Sequence, residues 1–222
     1  MSVPMAFSIT PRTLRRCACA AAICLALMAA CRSIPDPAAH SLAAYRDAEA
    51  RTRPGAPETR LLPESPEEAA ALQRFVDFYR VYSAEVIRAR VRELYADDAY
   101  FGDPFEAVTG IDRIEAYFLQ MAEPVDRCAF EIEAIDGSKG EYYVRWTMNL
   151  TLRRAKKVPI VAPGISHVRF NPAGKVAFQQ DYWDTRLLFE RLPVVGGLTR
   201  FVSARMAGGR DATPAPAGSA AP

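Results

Sequence analysis

Apolar residues recur at helical spacing in three stretches, after which the period drops to two. Leu72, Phe75, Val76, Tyr79 and Tyr82 share one inward stripe. Ser65, Pro66 and Glu68 precede it as N-cap, first-turn proline and the second half of a capping box, so a helix starts at residue 66. Ile87, Val91, Leu94 and Tyr95 line one side of a second helix, with Arg88, Arg90, Arg92 and Glu93 around its solvated sides. Thr109 and Asp112 suggest another capping box, opening a third helix with Ile111, Ile114, Tyr117, Phe118 and Met121 inward. From Arg127 onward Cys128, Phe130 and Ile132 alternate with charged residues. A turn at 136–140 follows, and then Tyr142, Val144, Trp146, Met148, Leu150 and Leu152 alternate with a largely polar set. Further strands are predicted over 158–161, 164–170 and 176–183, the last two joined by a turn at 171–175. Helices on one face of a curved, mainly antiparallel sheet, with the other face wet, make an α+β cone.

The flanks read differently. Arg12, Arg15 and Arg16 precede an apolar run over 17–30 that has the length of a signal-peptide core and is too short for a membrane span. The run ends Leu27-Met28-Ala29-Ala30-Cys31, which resembles the bacterial lipobox; Ala29 and Ala30 fit it, and Met28 is a less usual occupant. That resemblance implies cleavage before Cys31, lipidation of Cys31 and a lipid-anchored place in the cell envelope, with simple secretion as the alternative. Arg32 is not the Asp of inner-membrane retention, which leans toward the outer membrane facing the periplasm. Prolines and an Ala-rich, charged middle over 31–64 read as a flexible tether spanning on the order of 30 Å. The folded domain is expected over 65–186. In 187–207, Pro193 and the Gly196-Gly197 pair split an apolar segment into two short helical pieces. This extension closes over the cone or a partner subunit, or meets a membrane surface through Arg191, Arg200 and Arg205. The Gly-, Ala- and Pro-rich end at 208–222 is expected to be disordered.

Composition narrows the function classes. Of 28 Lys and Arg, three lie in the leader, leaving 25 against 26 Asp and Glu. A net charge near −1 gives no electrostatic reason to expect nucleic acid. Four of the five cysteines are Cys17, Cys19, Cys24 and Cys31, so Cys128 has no internal disulfide partner. With that cysteine and two distant histidines, His40 and His167, soft ligands for a metal are scarce, and no metal or cofactor is expected.

Chemistry points first to Asp103. Pro104 biases it toward extended geometry, which suits a fixed base, although an Asp-Pro pair is also an ordinary turn former. On the last strand Gln179, Asp181 and Trp183 share one face, and Gln180, Tyr182 and Asp184 the other.

The order of elements, the Leu94-Tyr95-Ala96-Asp97-Asp98-Ala99…Asp103-Pro104 segment and the Val161-Ala162-Pro163…His167-Val168-Arg169-Phe170-Asn171…Ala173-Gly174-Lys175 segment resemble the nuclear transport factor 2-like superfamily. Within it the chain is nearest the SnoaL-like and ketosteroid isomerase branch, over about 69–186. Ketosteroid isomerases use a carboxylate base at the Asp-Pro segment, and an oxyanion hole made of a first-helix Tyr and a protonated Asp. The resemblance therefore implies Asp103 as base and Tyr79 as oxyanion donor. At the third position the chain departs, carrying Ser166, a weaker donor than a neutral carboxylic acid. The resemblance also turns Asp181 and Trp183 toward the cavity. Two carboxylates in one apolar pocket cannot both ionise cheaply, so one is expected to hold a raised pKa as partner acid while the other acts as base. The competing reading has Asp181 capping a turn or pairing with Arg145. His167 attracts notice because SnoaL-type cyclases use acid-base residues on later strands, but alternation sets it on the outer face with Arg169. Tyr117, Trp146, Ser166 and Trp183 are the expected ligand-contacting set, unless the large rings only fill the core.

These readings predict an envelope protein whose cone binds a small apolar molecule, with proton-transfer chemistry of an isomerase, cyclase or hydratase kind. The rival is a non-catalytic ligand-binding or assembly module with the same fold. The resemblance also implies a homodimer formed through the open sheet face.

Overall fold

Caps and turns set the domain's framework in the computed structural model, which describes residues 37–55, 61–153, 159–191 and 195–206. The leader, Cys31 and the tail at 208–222 lie outside the described residues. Contacts divide the chain after His40 into two units, and the architecture below belongs to the second, Ser41–Pro222.

Helix α1 spans Pro37–Arg51 and α2 spans Pro66–Tyr79. Ser65 Oγ accepts from Glu68 N at 3.1 Å, and Glu68 Oε2 accepts from Glu64 N at 2.7 Å, so the box closes one residue earlier than its usual form. Helix α3, Ala84–Leu94, is capped by Ser83, whose Oγ accepts from Val86 N at 3.3 Å. It stops where Tyr95 turns extended and begins strand β1, Tyr95–Gly102.

The capping box expected at Thr109 does not form. Thr109 belongs to the short strand β2, Ala107–Thr109, and pairs with Tyr100. Gly110 takes the N-cap of α4, Ile111–Ala122, with φ 93°, and its N–H bonds to Ala99 O at 2.8 Å. Strand pairing therefore outcompetes the local side-chain cap.

Strands β3, Val125–Ser138, and β4, Glu141–Leu152, meet in a two-residue turn at Lys139 and Gly140, both with positive φ, the twist a tight hairpin needs. The two strands predicted over 158–170 are one, β5, Ile160–Phe170. Its pairing with β4 runs unbroken through Pro163 opposite Thr147 and Gly164 opposite Trp146. A Cβ at Gly164 would stand 2.2 Å from the Trp146 ring, so this glycine makes room for the indole and is no break. Strand β6 is Val176–Trp183. The sheet order is β2-β1-β6-β5-β4-β3, antiparallel throughout except between β1 and β6.

Phe75, Phe78, Val91, Ile114 and Phe118 from the helices bury against Val144, Trp146 and Val168 on the inner sheet face. The outer face corrects two expectations, a wet surface and a flexible tether. Over Ala44, Tyr45 and Ala48, α1 packs on Tyr100 and Phe178 of that face. Arg169, only 4% exposed, donates to Glu49 O at 2.8 Å, Thr52 Oγ1 at 3.1 Å and Glu141 Oε2 at 2.8 Å. The stripe on α1 is narrow because a guanidinium binding its last-turn acceptors supplies much of the hold.

Two further helices, α5, Arg186–Phe189, and α6, Val195–Met206, close the described chain. Gly196 and Gly197 lie within the first turn of α6 and not between the helical pieces. No helix among the described residues is long and apolar enough to cross a membrane.

Candidate active site

Between the helices and the inner face of the sheet lies a cavity of about 100 Å³. Its wall includes Tyr79, Tyr82, Phe101, Asp103, Tyr117, Phe118, Phe130, Trp146, Asp181, Trp183 and Leu188, and among the described residues contains no Lys, Arg or His. Pockets for drug-sized ligands run from about 300 Å³ upward, so this space takes a few heavy atoms unless its mouth opens. At the mouth Phe105 meets Trp183 edge-on at 5.6 Å and Phe189 at 6.0 Å, and Leu188 of α5 reaches the wall.

Asp103 is a turn former and a cavity carboxylate at once. Its Oδ1 accepts from Phe105 N at 2.8 Å and Glu106 N at 2.9 Å, and its own N–H donates to Glu106 O at 2.9 Å. Oδ2 accepts from Tyr117 OH at 2.8 Å. Burial lifts its pKa above the ordinary value, opposed by the two backbone N–H groups and the Tyr117 hydroxyl, which favour the anion.

Asp181 stands 8% exposed on β6. Its Oδ1 accepts from Ser166 Oγ at 2.6 Å and from Gln179 Nε2 at 2.9 Å. Its Oδ2 takes no hydrogen bond, and the carboxylate makes no ion pair, with Arg145 or any other cation, among the described residues. Burial pushes its pKa up to about 7, against Ser166 and Gln179, with the Asp103 charge adding to the rise. The cavity thus holds two acids of unequal strength.

Ser166 departs from the ligand-contacting role expected of it. It is 2% exposed and absent from the cavity wall; it accepts a hydrogen bond from Trp146 Nε1 at 2.8 Å and donates its own to Asp181 Oδ1. It holds the acid from behind. Trp146, Tyr117 and Trp183 do reach the wall.

Tyr79 also reaches the wall, yet its proton is committed elsewhere. Tyr95 OH donates to Gln179 Oε1 at 2.7 Å, so in the 2.6 Å contact between the two phenols Tyr79 must be the donor. Gln179 Nε2 closes the ring by donating to Tyr79 OH at 3.0 Å. A phenol has one proton, and this one points to Tyr95; the oxyanion-donor role expected of Tyr79 is corrected accordingly. The sequence places Tyr95 on a helix stripe, where the structure begins strand β1, and Gln179 on the face of Asp181, but assigns neither a role at the site. The available signal was an amide on the inward strand face, two residues before Asp181, which must find partners once it is buried.

On the outer face His167 bonds Glu141 and stacks on Tyr143 at 4.9 Å, where alternation set it. Among the described residues no group of three or more His, Cys, Asp or Glu is arranged to hold a metal ion.

A curved sheet closed by helices over two inward carboxylates defines a cone-fold protein of the nuclear transport factor 2-like type. Residues 72–179 match the model of the SnoaL-like domain. Among solved structures it is similar to a SnoaL-like polyketide cyclase candidate from Jannaschia sp. CCS1, at 14% identity over 60% of this chain and 96% of that one, with a TM-score of 0.50. It is also similar to a candidate of the same description from Shewanella denitrificans OS-217, at 18% identity over 57% and 97% of the two chains, TM-score 0.48. An LEH-like epoxide hydrolase of M. tuberculosis aligns at 18% identity over 66% and 99%, TM-score 0.47. Identities this low show the fold alone. A search of curated proteins found no match.

Proposed function

We propose that this is a lipid-anchored envelope protein, held through Cys31 at the outer membrane facing the periplasm, whose cone binds a small, largely apolar carbonyl compound and moves a proton on it. Asp103 is the base and Asp181 the neutral acid. The observation that carries this reading is Asp181, whose Oδ2 is unpartnered and whose cavity wall is without cations among the described residues, with a pKa about 7. A protonated Oδ2 offers its hydrogen to the carbonyl oxygen while Asp103 removes a proton from the adjacent carbon. The C–H electron pair becomes the C=C bond of the enol as the carbonyl π pair moves onto the oxygen, which takes the Asp181 proton; Asp103 then returns its proton to the far carbon of the conjugated dienol while the enol O–H proton goes back to Asp181 and the carbonyl re-forms. Three donors on Asp103 favour its ionised form, as a base requires. Two copies pair through the part of the outer face left open by α1, where Val161, Tyr143 and Tyr182 are exposed; light scattering showing only monomer removes this element.

The small cavity favours a second reading, a ligand-binding or assembly module without turnover. Hydrogen–deuterium exchange at the α-carbon of small enolisable ketones, followed by NMR in D₂O, separates the two. Wild type is expected to catalyse exchange, Asp103→Asn to lose about 10²–10⁴-fold, and both to bind the ketone alike. Binding without exchange by wild type leaves the module.

A further inference from the structure

Helix α6 wears its apolar side outward. Phe201, Val202 and Met206 are 66%, 45% and 84% exposed, and at 100° per residue they share one side of the helix. Ser203, about 160° round the helix from Phe201, is half-buried. From Arg191 to Met206 the chain carries Arg191, Arg200 and Arg205 and no Asp or Glu. All three arginines are exposed, and none has an ion pair among the described residues. Arg200 donates instead to a backbone carbonyl, Glu190 O, at 2.8 Å.

We propose that α6 is a membrane-surface helix that lays Phe201, Val202 and Met206 into the headgroup boundary of an anionic lipid surface while Arg191 and Arg205 meet its phosphates. Charge complementarity selects this occupant: a face that carries Phe201, Val202 and Met206 with Arg205 among them, on a segment with arginines and no acidic residue, fits an interface that is apolar below and negative above. Twelve residues rise about 18 Å, too little to cross a bilayer, so the helix lies in the plane. The docked helix also turns the cavity mouth to the lipid. A Cβ on Gly196 would stand 2.5 Å from Glu190 O, so the start of α6 is seated closely on the end of α5, whose Leu188 lines the cavity. This surface is independent of the Cys31 anchor and of any turnover in the cone.

Amide hydrogen exchange of the full chain, read by mass spectrometry on the peptide covering α6, tests the proposal locally, whatever else holds the protein to lipid. With vesicles of phosphatidylglycerol and phosphatidylcholine, exchange in α6 is expected to slow by about fivefold or more, and with phosphatidylcholine alone to stay unchanged. Phe201→Ser with Met206→Ser, and separately Arg191→Glu with Arg205→Glu, should abolish the slowing with circular dichroism unaltered. Unchanged exchange in wild type overturns the proposal, as does slowing that survives the charge reversal. Slowing that rises with protein concentration and needs no vesicle assigns the stripe to a second copy, and overturns it too.

Discussion

The two faces of one sheet bury carboxylates in opposite company. On the outer face, burial tends to raise the pKa of Glu141, but hydrogen bonds from Arg169 and His167 outweigh it and the net shift is downward. On the inner face, burial acts on Asp181 with only Ser166 and Gln179, both neutral, to oppose it, and the pKa climbs to about 7. Burial has the same sign on both faces, so the neighbour decides. A buried acid without a counter-ion costs stability, and this fold tolerates that cost beside its cavity while compensating the charges across the sheet. Compensated acids belong to the scaffold; the uncompensated one marks the site.

Asp181→Asn is the strongest way to break that contrast. The ordinary aspartate pKa is about 3.9. In the folded protein Asp181 still holds its proton between that value and about 7, where the unfolded chain has released it. Stability therefore falls as pH rises through this window, by on the order of 4 kcal/mol in all, and the full penalty persists above it. Glu141 runs the other way: its contribution is present above its unfolded pKa and lost as pH falls through its lowered folded one. An asparagine Oδ1 still accepts from Ser166 and Gln179 while removing the charge. Guanidinium unfolding from about pH 4 to pH 8 should show the variant gaining on wild type as pH rises. Parallel curves for the two proteins would sink the assignment of an uncompensated acid.

The outer face is sharpened by Arg169→Ala. The variant leaves Glu141 with its His167 contact alone and empties the acceptors at the end of α1, Glu49 O and Thr52 Oγ1. Breaking a buried pair by removing one partner is expected to cost about 3 kcal/mol, read as a lower unfolding midpoint. Limited proteolysis should then cut within α1. Replacing both partners, Arg169→Met with Glu141→Leu, removes the stranded charge and should recover much of the loss. If the double variant is as unstable as the single one, compensation is not what the outer network provides.

This contrast explains what was legible in the sequence. The stripe of α2 and the alternation of β4 and β6 could be read because each faces a continuous apolar layer, and that layer imposes its own period. Asp103 drew notice through its proline, and it was the family resemblance, not periodicity, that turned the face of Asp181 and Trp183 toward the cavity. Helix α1 was missed because its stripe is little more than Ala44, Tyr45 and Ala48, and its polar anchor, Arg169, comes from β5, over a hundred residues away. Thr109 and the junction of Pro163 and Gly164 misled because local capping and breaking signals lost to strand pairing and to the bulk of Trp146. The ring of Tyr79, Tyr95 and Gln179 was illegible for a different reason. Pattern places a phenol at the cavity wall, but only tertiary partners decide where its proton goes.

That ring gives the smallest and most discriminating test. Tyr95→Phe removes the acceptor of the Tyr79 proton and leaves Gln179 Oε1 unpaired in the core, at a cost of about 1–2 kcal/mol. Burial holds the pKa values of both phenols well above the ordinary tyrosine value, so the ring is neutral over the whole range in which Asp181 titrates. The loss should therefore be a flat offset from about pH 5 to pH 8, in contrast to the slope that Asp181→Asn removes. A cycle with Tyr79→Phe should show coupling of about 0.5 kcal/mol or more, since the two hydroxyls share one hydrogen bond. Among the described residues the ring and the acid meet through hydrogen bonds at Gln179, whose Nε2 donates both to Tyr79 and to Asp181. A Tyr95→Phe offset that grows with pH would mean that the amide carries the loss across to Asp181, and the neutral ring and the charged site would then be one network with no boundary at Gln179.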